Sequence, residues 1–225
     1  LTGLSMKHAA RLGLNHHCVG IRAAHHVGYY PGAEPMTLKL IFDPGDGKIL
    51  GAEIVGGEGV DKRIDVIATA MHFAGSVRDL TEVDLAYAPP FGAAKDPVHI
   101  AAFAACNHIH GIIRQLPTNA DLTGVQFLDV RDDAEVRAKP FTDAPQAIHI
   151  PLNQLRDRLD ELDPRMPTVV TCASGGRSYV AGRILMQKGF TDVSNLVGGS
   201  LLREHVPGSS MNATSTAASA PQAGN

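Results

Sequence analysis

Thr168-Val169-Val170-Thr171-Cys172-Ala173-Ser174-Gly175-Gly176-Arg177-Ser178 runs from a β-branched segment, through a cysteine and two glycines, into a helical pattern. Thr168 to Thr171 read as a short buried strand. Ser178 to Lys188 read as a helix, and Gly189 stands where a C-terminal cap belongs. The cysteine is therefore expected at the carboxyl end of a strand, where open α/β sheets place their ligands. Two glycines let the backbone fold tightly and turn successive N–H groups inward. The helix that follows contributes its positive end, and Arg177 a permanent charge. A cysteine in such a loop is expected to have a depressed pKa and to exist partly as thiolate. The plainer alternative is an ordinary turn beside a buried cysteine.

The pattern extends in both directions. Val125-Gln126-Phe127-Leu128-Asp129-Val130 reads as a second buried strand, Ala147-Ile148-His149-Ile150 as a third and Val193-Ser194-Asn195-Leu196 as a fourth. Leu152, Leu155, Leu159 and Leu162 mark a helix between them. Strands alternating with helices predict a small α/β domain with a parallel sheet over residues 118–206. Asp129 and Arg131 read as structural, Asp129 bonding neighbouring backbone and Arg131 pairing with an acid such as Glu135. Residues 207–225 are Ser, Ala, Thr, Gly, Asn and Pro with almost nothing to bury, and are expected to be disordered.

This half resembles the rhodanese homology domain. The resemblance rests on Leu128-Asp129-Val130-Arg131, Ala147-Ile148-His149-Ile150-Pro151-Leu152, the Cys172-to-Arg177 loop and Asn195-Leu196-Val197-Gly198-Gly199. It implies that Cys172 takes up sulfane sulfur as a persulfide. The N–H groups of Ala173, Ser174, Gly175, Gly176 and Arg177 would form the cradle, and Arg177 would steady the anion. Rhodanese-like phosphatases are similar but carry a longer loop; four residues between Cys172 and Arg177 favour sulfur over phosphate. The segment Pro117 to Gly124 is short for the family's first strand and helix.

The first half has a different pattern. Thr37 to Phe42 and Lys48 to Val55 flank Asp43-Pro44-Gly45-Asp46-Gly47 and read as an antiparallel hairpin. Ile64, Ile67, Ala68, Met71 and His72 recur at helical spacing, and Val98 to Ile113 is Ala-rich and helical. An α+β domain, an antiparallel sheet with helices, is expected over residues 13–115. Within it, Ala86-Tyr87-Ala88-Pro89-Pro90-Phe91-Gly92 is a stiff loop that presents Tyr87 and Phe91. Asp96 then caps a helix with Pro97 in its first turn.

With Tyr29-Tyr30-Pro31-Gly32-Ala33 and the hairpin, that loop resembles the C-terminal dimerisation domain of pyridine nucleotide-disulfide oxidoreductases. Within them it is similar to the CoA-disulfide reductase and NADH-dependent persulfide reductase branch. The resemblance implies a homodimer in which Tyr29 and Tyr87 reach the partner subunit's active site. It implies FAD and NAD(P)H as cofactors of the full-length protein. Its substrates would be CoA persulfide, CoA disulfide or another low-molecular-weight persulfide. His99 stands where the family commonly has Asn. No G-x-G-x-x-G follows a strand, so this chain alone is expected not to bind FAD stably. The chain starts Leu1-Thr2-Gly3 and reads as the C-terminal piece of a longer protein.

Composition narrows the remaining classes. The 225 residues are 44% hydrophobic and 19% charged, with a formal net charge of −3. Such a balance offers no basic field for nucleic acid or an anionic membrane. No apolar run approaches the roughly 20 residues of a spanning helix. Three widely spaced cysteines favour a reducing compartment, and a cytoplasmic location is expected. Cys18 and Cys106 read as core cysteines. The adjacent pairs His16-His17 and His25-His26 are expected to point to opposite faces of extended chain, and no pair of histidines has helical i, i+4 ligand spacing, so no metal site is expected.

Overall fold

The computed structural model describes residues 1–141, 144 and 146–203. The expected disordered stretch 207–225, and the end of the second domain at 206, lie outside them.

Two sheets organise the chain. The first is antiparallel, with strand order β1-β4-β3-β2. Its strands are β1 (Thr2–Gly3), β2 (His17–Ala24), β3 (Pro35–Phe42) and β4 (Ile49–Val55), and the helix α1 (Met6–Arg11) lies between the first two. β3 and β4 are the expected hairpin, with Leu40 opposite Ala52. β1 pairs with β4, so the sheet takes in residues before position 13. Three helices cover it: α2 (Val60–His72), α3 (Val77–Glu82) and α4 (Pro97–Ile109). Leu38, Leu40, Phe42, Ile67, Leu80, Ala101 and Ala105 are fully buried in this core. The Asp-Pro start of α4 is as read: Asp96 accepts the Val98 N–H at 3.0 Å, with Pro97 in the first turn. The helix stops at Ile109, earlier than Ile113.

The second sheet is parallel, with order β5-β9-β8-β6-β7. It comprises β5 (Arg114–Leu116), β6 (Gln126–Asp129), β7 (Ile148–His149), β8 (Thr168–Thr171) and β9 (Val193–Leu196). Its helices are α5 (Asp133–Ala138), α6 (Gly176–Gln187) and α7 (Gly199–Arg203). Its first strand is thus Arg114–Leu116, paired with β9, which precedes the expected start at 118 and makes good the short Pro117–Gly124 segment. The leucine-spaced helix does not form. Leu155–Asp157 and Leu159–Glu161 are two 3₁₀ turns. Leu155 and Leu162 are still buried and Leu152 and Leu159 still pack on them. Short 3₁₀ turns bring positions three apart onto one side, so the apolar spacing is met without an α-helix.

The two units touch closely. A Cβ on Gly20 of β2 would lie 2.5 Å from Val197 Cγ1. Arg183 of α6 donates to the carbonyl of Ile112, in the segment that joins α4 to β5, at 2.9 Å. Among the described residues, no helix is long and apolar enough to cross a membrane.

The histidines depart from expectation. His25 and His26 lie just past the end of β2, where strand alternation no longer applies, and their rings meet edge to face at 4.2 Å. His17 stacks on His108 of α4 at 3.7 Å and 5°. Burial, then the neighbouring His108 and His16, holds His17 down at about 4. The unfolded chain protonates His17 near its ordinary 6.5. Between those values the unfolded state binds the extra proton, so stability present above pH 6.5 is lost as pH falls towards 4. Replacing His17 with glutamine is expected to flatten the fall of the urea midpoint across that window; an unchanged slope contradicts it.

Candidate functional site

The cysteine loop is held from three sides. Cys172 follows β8 and is 1% exposed. Gly175 takes φ +104°, and its N–H points at Cys172 Sγ from 3.1 Å. Gly175 then begins α6 as its N-cap. Ser178 Oγ lies 3.4 Å from Sγ and 3.0 Å from the Gly175 carbonyl, so its one hydrogen serves one of them. From the far side, Ser200 and Leu201 donate backbone N–H groups to the carbonyls of Cys172 and Ala173 at 2.8 and 3.1 Å. This approach requires glycine at 199, where a Cβ would sit 2.2 Å from the Cys172 oxygen. Of the five N–H groups expected as a cradle, the one aimed at the thiol is that of Gly175. Those of Ala173, Ser174, Gly176 and Arg177 make no bond to Sγ.

Arg177 is held by two carboxylates at the start of α5. Its guanidinium makes two parallel bonds to Glu135 at 2.6 and 2.7 Å and a third to Asp132 at 3.2 Å. The hydrogen bonds from Arg177 hold the Glu135 carboxyl down at about 2, so the pair persists at any working pH. Glu135 is therefore the partner of Arg177, not of Arg131. Arg131 instead bonds Asp129, with Nε donating to Oδ1 and Oδ2 at 3.0 and 2.9 Å and Nη2 to Oδ2 at 2.7 Å; both side chains are 3% exposed, and Asp129 also accepts the Arg131 N–H at 3.1 Å. The structural reading of Asp129 and Arg131 stands, with a different acid. Sequence reasoning missed the role of Asp132 and Glu135, although Asp132-Asp133-Ala134-Glu135 carries the capping-box spacing seen at the start of α5.

The two tyrosines come together in the first unit. Tyr29 and Tyr87 are exposed, with their hydroxyls 3.5 Å apart. That hydrogen bond pushes the Tyr87 phenol above its ordinary value. Tyr30 and Phe91 are exposed on the same two loops. Those loops are tied by the Val27 N–H to the Gly92 carbonyl at 3.0 Å. They are also tied through Arg63, which bonds the His25 carbonyl at 2.6 Å and the Asp96 carboxylate at 2.6 Å. His99 bonds the Val83 carbonyl at 2.8 Å. Cys18 and Cys106 are half-buried, and burial pushes both thiols up. Among the described residues, no three His, Cys, Asp or Glu side chains gather as for a metal ion.

Known proteins share both halves. Residues 1–97 match the family described as pyridine nucleotide-disulphide oxidoreductase, dimerisation domain, and residues 113–201 match the rhodanese-like domain. The crystal structure of reduced CoADR-RHD from Bacillus anthracis is 41% identical, with a TM-score of 0.85 over 90% of this chain and 36% of that one. The NAD-dependent persulfide reductase of A. fulgidus is 37% identical, with a TM-score of 0.79 over 88% of this chain and 35% of that one. Coenzyme A disulfide reductase of Staphylococcus epidermidis is 41% identical over 87 residues, 39% of this chain and 20% of the relative. The chain thus spans about a fifth of that curated relative and about a third of the two solved structures. Residues 1–97 belong to the pyridine nucleotide-disulphide oxidoreductase dimerisation family, and residues 113–201 to the rhodanese-like family.

Proposed function

We propose that Cys172 carries sulfane sulfur as a persulfide, within a flavin-dependent reductase of CoA disulfide or low-molecular-weight persulfides. The observation that carries this reading is the Gly175 N–H aimed at a buried Cys172 Sγ at the start of α6. In the transfer, the Cys172 thiolate attacks the outer sulfur of a donor persulfide R–S–S⁻. The donor S–S bond breaks, R–S⁻ leaves with the electron pair, and Cys172–S–S⁻ remains. The outer sulfur lies further into the loop than Sγ. There the N–H groups of Ala173, Ser174, Gly176 and Arg177, which Sγ does not use, are the donors for its charge. Arg177 contributes a guanidinium already balanced by Glu135 and Asp132.

The dimerisation family supports a two-fold homodimer, whose isologous interface presents each Tyr29–Tyr87 pair to the partner. A phenol so placed donates a hydrogen bond or a proton to a leaving thiolate. In this reading the described residues hold neither FAD nor NAD(P)H. The three glycine-rich turns from strand to helix are taken up by the protein's own groups: that of Gly175 by Cys172 Sγ, that of Gly199 by the Cys172 and Ala173 carbonyls, and that of Gly56 to Gly59 by the Glu34 carboxylate, which accepts the Glu58 N–H at 3.3 Å. Both cofactors are held, in this proposal, by polypeptide outside these residues, where they supply hydride and electron transfer.

The test is to incubate the purified chain with a polysulfide or CoA persulfide donor and digest it. The expected result is a gain of one sulfur atom, reversed by cyanide or a reducing thiol, on the peptide that carries Cys172. A folded chain that gains no sulfur defeats the proposal and leaves the second half as a binding module.

A further inference from the structure

We propose that Asn195, held by Gln115, is a positioning residue that keeps the Gly175 N–H directed at Cys172 Sγ. The proposal rests on the reading of Cys172 as the sulfur carrier. Asn195 lies on β9 beside β8 and is 5% exposed; Gln115 lies opposite it on β5 and is 6% exposed. The carboxamide nitrogen of Asn195 has two hydrogens. One goes to the Gly175 carbonyl at 3.3 Å and the other to Gln115 Oε1 at 3.2 Å. A backbone carbonyl only accepts, so the atom that faces Gly175 O is the nitrogen.

Packing does little to hold Gly175 and Gly176. A Cβ on Gly176 would meet nothing within 4 Å, and one on Gly175 would meet only Gly198 N at 3.7 Å and Asn195 Nδ2 at 4.0 Å. Side-chain packing therefore does not fix the conformation of the two glycines, which have the widest backbone freedom of any residue. What fixes it is hydrogen bonding. The Gly175 carbonyl is tethered from its own helix by the Tyr179 N–H at 3.1 Å and by Ser178 Oγ. Asn195 is the tether that comes from the sheet. Through Gln115 the same tether reaches β5, the strand that leaves α4 of the first unit. Asn195 Oδ1 has no partner among the described residues. The side chain is thus used here as a donor, a task that leucine of similar bulk cannot perform and aspartate would oppose.

The test uses the full chain with Cys18 and Cys106 both changed to serine, so that alkylation reports Cys172 alone. Iodoacetamide rates are measured across pH with Asn195, with Asn195→Leu and with Gln115→Leu. Loss of one ordinary hydrogen bond's worth of orientation predicts alkylation at pH 7 slower by about 3- to 10-fold for Asn195→Leu, with the pH midpoint shifted upward. Gln115→Leu, which leaves the bond to Gly175, is expected to give a smaller shift in the same direction. A folded Asn195→Leu chain with an unshifted midpoint overturns the proposal, because a residue that merely supports the fold would lower the urea midpoint and leave the pH profile alone. If neither variant folds, hydrogen exchange of the Gly175 amide in the unsubstituted chain decides. Slow exchange supports a held N–H, and exchange at the free-loop rate refutes it. Alkylation needs no sulfur donor. A chain that fails to take up sulfur yet shows the shifted midpoint loses the function proposed above but keeps the positioning role.

Discussion

An Arg63→Ala chain is expected to lose about 3–5 kcal/mol of folding free energy, because the Asp96 carboxylate is then buried without its cation. Arg63 is 1% exposed and Asp96 2%. The guanidinium bonds both Asp96 oxygens through Nε and Nη2, the Gly59 carbonyl at 3.2 Å and the His25 carbonyl at 2.6 Å. Alanine leaves the buried Asp96 charge without a cation, with the Val98 N–H as its remaining partner, and takes a donor from the Gly59 and His25 carbonyls. The loss also reaches the surface, because Arg63 joins the segment leading to Tyr29 with the residue that ends the Tyr87 loop. Removing both charges in Arg63→Met/Asp96→Asn should cost less than the two single changes added together, since no ion is then left unpaired. Urea denaturation followed by circular dichroism measures both. A loss for Arg63→Ala below about 1 kcal/mol, the value of an exposed pair, would show that water reaches the carboxylate.

The regular elements were legible because their signals are local. Asp43-Pro44-Gly45-Asp46-Gly47 between two β-prone runs gives the hairpin, and Asp96-Pro97 gives the start of α4. Thr168 to Ser178 gives the strand, the turn and the helix that hold Cys172. The misses have a common cause in distance along the chain. Arg63 and Asp96 are 33 residues apart, and Arg177 and Glu135 are 42 apart. No spacing rule links such pairs, so Glu135 was assigned to the nearer Arg131. The stacking of His17 on His108 joins an edge strand to a helix and is equally invisible in sequence. β5 was missed for another reason. Arg114-Gln115-Leu116 is too short for periodicity, and only pairing with β9 makes it a strand. The leucine run was legible as an apolar stripe but not as a helix type, because spacings of three and four suit both kinds of turn.

Cys172→Ser is expected to abolish sulfur uptake completely while Cys18→Ser and Cys106→Ser leave it largely intact. The serine hydroxyl can accept the Gly175 N–H much as the thiol does, and it adds no bulk to a site that is 1% exposed. The domain should therefore stay folded. The chemistry does not survive. A serine hydroxyl is not ionised at neutral pH, and oxygen forms no stable counterpart of a persulfide, so no sulfur can be retained at that position. The other two cysteines are poor substitutes. Burial pushes the thiols of Cys18 and Cys106 up, away from the reactive thiolate. Neither has the N–H of a strand-to-helix turn directed at it, as Cys172 has. Intact mass after loading with a persulfide donor distinguishes the three variants. An adduct on folded Cys172→Ser, or its loss from folded Cys106→Ser, would move the nucleophile away from the loop. Silence of Cys172→Ser alone ties sulfur uptake to the one thiol that a backbone N–H addresses.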